Sequence, residues 1–129
     1  MGIAMFELER IDHVALAVRD VDRSANWYIE VLGFERRHEG MWNDIPVFIG
    51  KGEAAIALFP SGNKNSKMSK RSGILHFALW ADRKNFLAAQ EELTRRGIAF
   101  HFQDHEISHS IYFNDPDGHQ IEITTYEVT

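Results

Sequence analysis

The chain has 129 residues, of which 44% are hydrophobic, 26% are charged and none is cysteine. These values predict one folded domain and exclude disulfides, thiolate metal sites and thiol catalysis. The net charge of −5 argues against nucleic acid as the main partner. No apolar run approaches the roughly 20 residues that span a bilayer, so we expect no contact with a membrane. The N-terminus lacks the pattern of a signal peptide, and we therefore expect a cytoplasmic protein.

The first half of the chain predicts a strand, a helix and three further strands. The residues alternate over 11–18, with His13, Ala15 and Ala17 on one face and the larger Val14, Leu16 and Val18 on the other, which is typical of a strand. Asp20 or Asp22 can cap the next helix, and Gly33 stands where a left-handed helix end requires glycine. Short strands then fit near residues 35–39, 47–50 and 54–59.

The second half of the chain predicts the same order of elements. Residues 73–80 form a strand pattern, Asp82 can cap a helix, and Gly97 marks the end of that helix. Strands then fit at residues 98–102, 110–114 and 120–126.

Spacing supports an internal repeat. His13 precedes Gly33 by 20 residues, and His76 precedes Gly97 by 21 residues. Such a repeat predicts an α+β fold of two tandem βαβββ modules, which must pack together to bury a core. We place module 1 at about 9–59, a linker at 60–72 and module 2 at about 73–127, within a single domain spanning 1–129. The linker is rich in Ser, Gly, Asn and Lys, which favours a mobile surface connection; a basic flap over an anionic ligand is the alternative.

Strand alternation assigns the side chains to two faces. The helices should cover the face that carries the larger apolar residues Val14, Leu16, Phe77, Leu79, Ile111, Phe113, Ile121 and Ile123. The opposite face carries small or potentially metal-binding residues, namely His13, Ala15, Ala17, Ala57, His76, Ala78, Ser110, Tyr112, Glu122 and Thr124. Small residues beside such ligands suit the wall of a cavity better than a packed core.

Three residues on this second face have side chains that bind metals. They are His13, His76 and Glu122. A single strand histidine is usually a structural residue. Two imidazoles and one carboxylate at related positions of a repeat instead favour a divalent metal site.

Tyr112 stands ten residues before Glu122 and shares its face. Its hydroxyl could donate a hydrogen bond or a proton to a bound substrate, or it could simply lie in water. His101 and His105 fall near the expected mouth of the cavity.

The chain resembles the vicinal oxygen chelate superfamily, which includes glyoxalase I, bleomycin- and fosfomycin-resistance proteins, methylmalonyl-CoA epimerase and extradiol dioxygenases. The resemblance covers residues 11–126 and rests on Asp12-His13, the helix end at 28–34, His76 and Tyr112-Phe113-x-Asp115-Pro116-Asp117-Gly118 with Glu122. It implies that His13, His76 and Glu122 bind one divalent ion, such as Fe²⁺, Mn²⁺, Ni²⁺ or Zn²⁺. It further implies a cupped mixed sheet with the helices outside, a homodimer, and a small-molecule substrate with vicinal oxygens.

Departures from the family pattern bear on the reaction. Ala57 occupies the place where glyoxalase I and the epimerase supply a fourth ligand, and Ala15 replaces a threonine that is usual in fosfomycin-resistance enzymes. Two histidines and one carboxylate with open positions favour dioxygenase-like chemistry. A lactoylglutathione lyase-type isomerase comes second and antibiotic modification third. Metal-free drug binding, as in bleomycin-resistance proteins, is the alternative outside the enzymes.

Overall fold

The computed structural model of the protein describes residues 10–62 and 76–129. Module 1 consists of β1 (Val14–Val18), α1 (Val21–Leu32), β2 (Glu35–Arg37), a 3₁₀ helix (Met41–Asp44), β3 (Val47–Lys51) and β4 (Ala54–Pro60). Module 2 consists of β5 (Phe77–Trp80), α2 (Arg83–Arg95), β6 (His101–Asp104), β7 (His109–Asn114) and β8 (Gln120–Thr125). The expected linker at 60–72 lies largely outside the described residues, as does the first part of the strand expected at 73–80.

Each module forms its own four-stranded mixed sheet. The strand order is β1-β4-β3-β2 in module 1 and β5-β8-β7-β6 in module 2. The first and last strands of each module pair in parallel, and the other pairs are antiparallel. The α+β fold of two βαβββ modules that the sequence predicts is therefore confirmed.

Both helices begin at the predicted aspartates. Asp20 accepts a hydrogen bond from the backbone N–H of Arg23, and Asp82 accepts one from Asn85. Gly33 adopts a left-handed conformation with φ of 73° and ends α1, as expected. The helix α2 ends at Arg95, two residues before the predicted glycine.

Several element bounds differ from the prediction. The strand β1 starts at Val14 and not at residue 11, and β2 ends at Arg37 and not near residue 39. The strand β6 starts at His101, three residues later than expected, because the N–H of Ile98 bonds to the carbonyl of Leu93 at the end of α2 instead of joining the sheet. The 3₁₀ helix was not predicted at all. It begins after Gly40, whose N–H donates to the Asp44 carboxylate, and its left-handed backbone follows no hydrophobic period.

The burial of side chains follows the predicted faces. The hydrophobic core contains the expected helix-side residues Leu16, Ile111, Phe113, Ile121 and Ile123, with Val14, Phe77 and Leu79 partly buried against it. On the other face Ala15, Ala17 and Ala78 are exposed, whereas Ala57, Ser110 and Thr124 are buried. Among the described residues, no helix has the length and apolar character needed to cross a membrane.

A buried polar cluster, which we call the latch, joins α1 of module 1 to the 115–118 turn of module 2. The Tyr28 hydroxyl donates to Asp115 Oδ2 at 2.8 Å, and the Ser24 hydroxyl donates to Asp117 Oδ2 at 2.8 Å. Arg19 Nε donates to Asp117 Oδ1 at 2.7 Å. The latch therefore fixes how the two modules of one chain pack together.

The latch shifts the pKa of both carboxyl groups. Burial raises the pKa of Asp115, whereas hydrogen bonds lower it less strongly. Burial also acts to raise the pKa of Asp117, but the hydrogen bonds from Arg19 and Ser24 outweigh it, so that this pKa lies below its ordinary value.

Candidate metal centre

His76 and Glu122 form a close pair on the open face of module 2. His76 Nε2 lies 2.9 Å from Glu122 Oε1. The parallel pairing of β5 with β8 brings them together, because it sets Ala78 opposite Glu122 and so places His76 near the carboxylate. Both side chains remain in contact with solvent, His76 at 36% and Glu122 at 12% exposure.

The carboxylate of Glu122 is held by the neighbouring strand. The Ser110 hydroxyl on β7 lies 2.6 Å from Glu122 Oε2 and donates to it. Ser110 is fully buried and also lies 3.1 Å from the Thr124 hydroxyl. The second carboxylate oxygen is thereby fixed, while the first faces His76.

Tyr112 stands directly opposite Glu122 in the pairing of β7 with β8. Its ring lies 5.7 Å from the His76 ring, edge to face, and stacks on the His101 ring at 5.3 Å. The Tyr112 hydroxyl lies 2.9 Å from His105 Nε2. Burial and the nearby negative charge of Glu122 raise the pKa of Tyr112 above its ordinary value.

His13 lies in the other module, immediately before β1. Its Nδ1 atom is 2.8 Å from Asp12 Oδ2, and this hydrogen bond lowers the pKa of Asp12. The opposite ring atom, Nε2, is then the one suited to binding a metal, because carboxylates commonly orient metal-binding histidines in this way. The Phe48 ring packs edge to face on the imidazole at 5.1 Å.

A pocket of about 270 Å³ opens beside His13. Apart from His13, the described residues that line it are apolar, namely Trp42, Ile45, Pro46, Phe48, Ala57 and Phe59. Ala57 occupies the position at which some members of the family supply a fourth metal ligand. It lies beside Ala15 in the pairing of β4 with β1.

The structure thus brings together two of the three predicted ligands in one chain. Across residues 10–62 and 76–129, no three His, Asp or Glu side chains converge closely enough to hold a metal ion. The paired side chains of His76 and Glu122 nevertheless suit a divalent metal ion. The 2.9 Å between His76 Nε2 and Glu122 Oε1 suits neighbouring ligands on an ion with bonds of roughly 2.0–2.2 Å.

Two contacts at this centre were not predicted from the sequence. The sequence assigns Ser110 to the same face as Glu122, but it does not predict the hydrogen bond between them. His105 was noted only for its position near the cavity mouth, and its bond to Tyr112 depends on the conformation of the 105–108 turn.

The described residues thus form a two-module α+β domain with a histidine–glutamate pair on an open sheet face. The model of the Glyoxalase/Bleomycin resistance protein/Dioxygenase superfamily matches residues 10–123. The chain therefore belongs to this superfamily, as its resemblance to vicinal oxygen chelate proteins implied.

Curated relatives and a solved structure agree with this assignment. The chain is 30% identical over 93% of its length to Catechol-2,3-dioxygenase of Bacillus subtilis (strain 168), but it spans only 42% of that enzyme. It is 26% identical over 90% of its length to Glutathione transferase FosA of Serratia marcescens, and spans 80% of it. A glyoxylase/bleomycin resistance protein/dioxygenase domain from Frankia sp. EAN1pec superposes with a TM-score of 0.77 and 26% identity, covering 95% of each chain.

Proposed function

We propose that the protein is a metal-dependent enzyme that binds a small substrate through two neighbouring oxygens. His13, His76 and Glu122 would hold one divalent ion, with iron(II), manganese(II), nickel(II) and zinc(II) as the candidates. The observation that carries this proposal is the approach of His76 Nε2 to Glu122 Oε1, with Ser110 holding the other carboxylate oxygen. Two adjacent donors held in this way would supply two of the three proposed ligands before any ion binds.

We further propose that the third ligand comes from a second copy of the chain. The latch fixes α1 of module 1 against the 115–118 turn of module 2 through buried hydrogen bonds. A rearrangement that brings His13 to Glu122 within one chain would break these bonds. A homodimer in which His13 of one copy joins His76 and Glu122 of the other needs no such change.

Around the substrate, the residues of the chain have separate tasks. A divalent ion in this site would act as a Lewis acid on the two substrate oxygens. Tyr112 lies beside both His76 and Glu122, so its hydroxyl can donate a hydrogen bond to a substrate held there. In the tautomer that carries the proton on Nε2, His105 donates a hydrogen bond to that hydroxyl at 2.9 Å and leaves the hydroxyl proton free for the substrate.

An oxygen-dependent, dioxygenase-like reaction is the one we favour. Three protein ligands leave room for a bidentate substrate and one further small molecule. Ala57 lines the pocket beside His13 and offers no fourth ligand there. The likeness to the Bacillus catechol dioxygenase over 93% of this chain supports the same choice.

A glutathione-dependent transferase or lyase reaction is the second candidate. It is favoured by the length match to Glutathione transferase FosA, of which the chain spans 80%, against 42% of the dioxygenase. The two candidates differ in their co-substrate, because only the first consumes dioxygen.

Metal content of the purified protein tests the proposed site. We expect about one divalent ion per chain in protein prepared without chelators. His76→Ala and Glu122→Ala should each lose most of it, because each removes a donor from the close pair. His109→Ala is the matched control, since His109 packs against Phe102 in the same module and should leave metal content unchanged. Full metal content in both ligand variants would refute the site.

Turnover then separates the two candidate reactions. Iron-loaded protein should consume oxygen in the presence of catechol, and anaerobic conditions should stop the reaction. A parallel assay with glutathione and fosfomycin under anaerobic conditions tests the transferase. Adduct formation in that assay, with no oxygen uptake on catechol, would replace the favoured reaction by the second candidate.

A further inference from the structure

The apolar pocket beside His13 is built around a set of aromatic side chains that contact one another edge to face or at a tilt. The Trp42 ring lies 5.7 Å from the Phe48 ring, and Phe48 in turn contacts His13 at 5.1 Å. His38 packs edge to face on both Trp42 and Phe48. A continuous aromatic wall therefore leads from the expected metal ligand His13 out to Trp42.

Trp42, which lines the pocket, has an unfavourable backbone conformation. Its φ of 55° and ψ of 28° are left-handed, a conformation that large side chains rarely adopt. Its side chain is nevertheless 54% exposed. A strained backbone that presents a large exposed aromatic ring does not benefit the isolated fold, and such strain is concentrated at ligand sites.

The side chains that line the pocket disfavour the binding of a charged group. Of the described residues that line the pocket, His13 alone is titratable, and none of them is an arginine or a lysine. A carboxylate or phosphonate placed here would lose hydration without a compensating charge. An aryl or alkyl group would instead gain from contact with Trp42, Ile45 and Phe48.

The size of the pocket indicates that it binds only a portion of a ligand. Its volume of about 270 Å³ lies just below the range of roughly 300–1,000 Å³ that is usual for whole ligands. Since His13 forms one wall, a substrate whose oxygens reach the metal would direct its remaining atoms along the aromatic wall.

We propose that this pocket binds an uncharged apolar substituent of the substrate and that Trp42 sets this specificity. The proposal rests on the proposed function, because it assumes that the oxygens of the same substrate are bound at the His13 site. It predicts a preference for aromatic diols with an alkyl substituent over those with a carboxylate.

The test compares catechol, 4-ethylcatechol and 3,4-dihydroxybenzoate as ligands of the metal-loaded protein under anaerobic conditions. Isothermal titration calorimetry measures each Kd, so no turnover is required. Wild type should bind 4-ethylcatechol roughly tenfold more tightly than catechol, because two methylene-sized groups are buried. It should bind 3,4-dihydroxybenzoate no more tightly than catechol.

Three variants assign the preference to Trp42. Trp42→Ala should reduce the tenfold preference to less than about threefold, and Trp42→Phe should keep most of it because a ring remains. Phe102→Ala is the matched control, since Phe102 is a similarly exposed ring (48%) that contacts Phe86 in module 2. Metal content should be the same in all three variants and in wild type.

Two results would overturn the proposal: tighter binding of 3,4-dihydroxybenzoate than of 4-ethylcatechol, or an unchanged preference in Trp42→Ala. Titration of 4-ethylphenol into metal-free protein separates this failure from failure of the proposed function. Suppose that the protein takes up no metal, but that it binds 4-ethylphenol and Trp42→Ala weakens this binding. The apolar pocket would then be supported, and only the proposed metal site would be refuted.

Discussion

The position of one carboxylate oxygen depends on a single buried hydroxyl. Ser110 Oγ lies 2.6 Å from Glu122 Oε2 and has no access to solvent, so the hydrogen bond restricts the Glu122 side chain to one orientation. Such partners of metal-binding residues contribute to affinity without touching the ion.

Ser110→Ala should therefore weaken metal binding about 10- to 100-fold without abolishing it. Competition with a chromophoric chelator measures the change. Ser108→Ala is a suitable control, because Ser108 is also buried but does not hydrogen-bond to Glu122. Equal affinity of Ser110→Ala and wild type would show that Glu122 is oriented by other contacts.

Individual site residues were predictable where they follow strand alternation. His76 and Glu122 were assigned to the same face, and the structure sets them 2.9 Å apart. The His105–Tyr112 contact was beyond this reasoning, because Glu106 has a left-handed backbone that turns the chain outside any regular period.

Among the elements, α1 and the 115–118 turn depend on each other through the latch. Asp117 has no exposed side-chain surface and accepts hydrogen bonds from Arg19 and Ser24. Its negative charge is therefore compensated only in the folded protein, which is why its pKa is lowered.

Asp117→Asn should lower the free energy of unfolding at pH 7 by about 1–3 kcal/mol. The folded-state pKa lies below the ordinary value of 3.8, so the contribution of the carboxylate is present above that pH and disappears as pH falls through the folded-state pKa. The difference between variant and wild type should shrink accordingly in acid. Urea denaturation at several pH values measures it, with the exposed Asp22→Asn as control, expected within about 0.5 kcal/mol. A difference that stays constant down to pH 3 would exclude the charge as its source.

Elements were more predictable than the contacts between them. The caps Asp82 and Gly33 follow from local backbone chemistry and are predicted correctly, and the N-cap Asp20 is one of the two aspartates that the sequence offers for α1. The Asp115-Pro116-Asp117-Gly118 segment has only the composition of a turn in the sequence, and its contacts are not predictable because its partners on α1 are about 90 residues away in the chain.

For the whole molecule, the sequence predicts two modules but not whether the ligands of the proposed site come from one copy of the chain or from two. The repeat predicts the same order of elements along the chain in each module, and the structure confirms that order. How two modules face each other depends on packing that strand alternation does not encode. The hydrogen bonds of the latch fix this packing within one chain, which favours a metal site whose ligands come from two chains.

A mixed dimer tests this arrangement directly. His13→Ala and Glu122→Ala should each lose metal as homodimers, whichever way the site is assembled. When the two variants are co-expressed with different affinity tags and the mixed dimer is purified, a site shared between copies predicts one intact centre. That centre uses His13 from the Glu122→Ala copy and both remaining ligands from the His13→Ala copy. Metal content should then recover to about half that of a wild-type dimer purified with the same two tags. No recovery in a stable mixed dimer would mean that each chain builds its own site, and a protein that stays monomeric at micromolar concentration would exclude the shared site altogether.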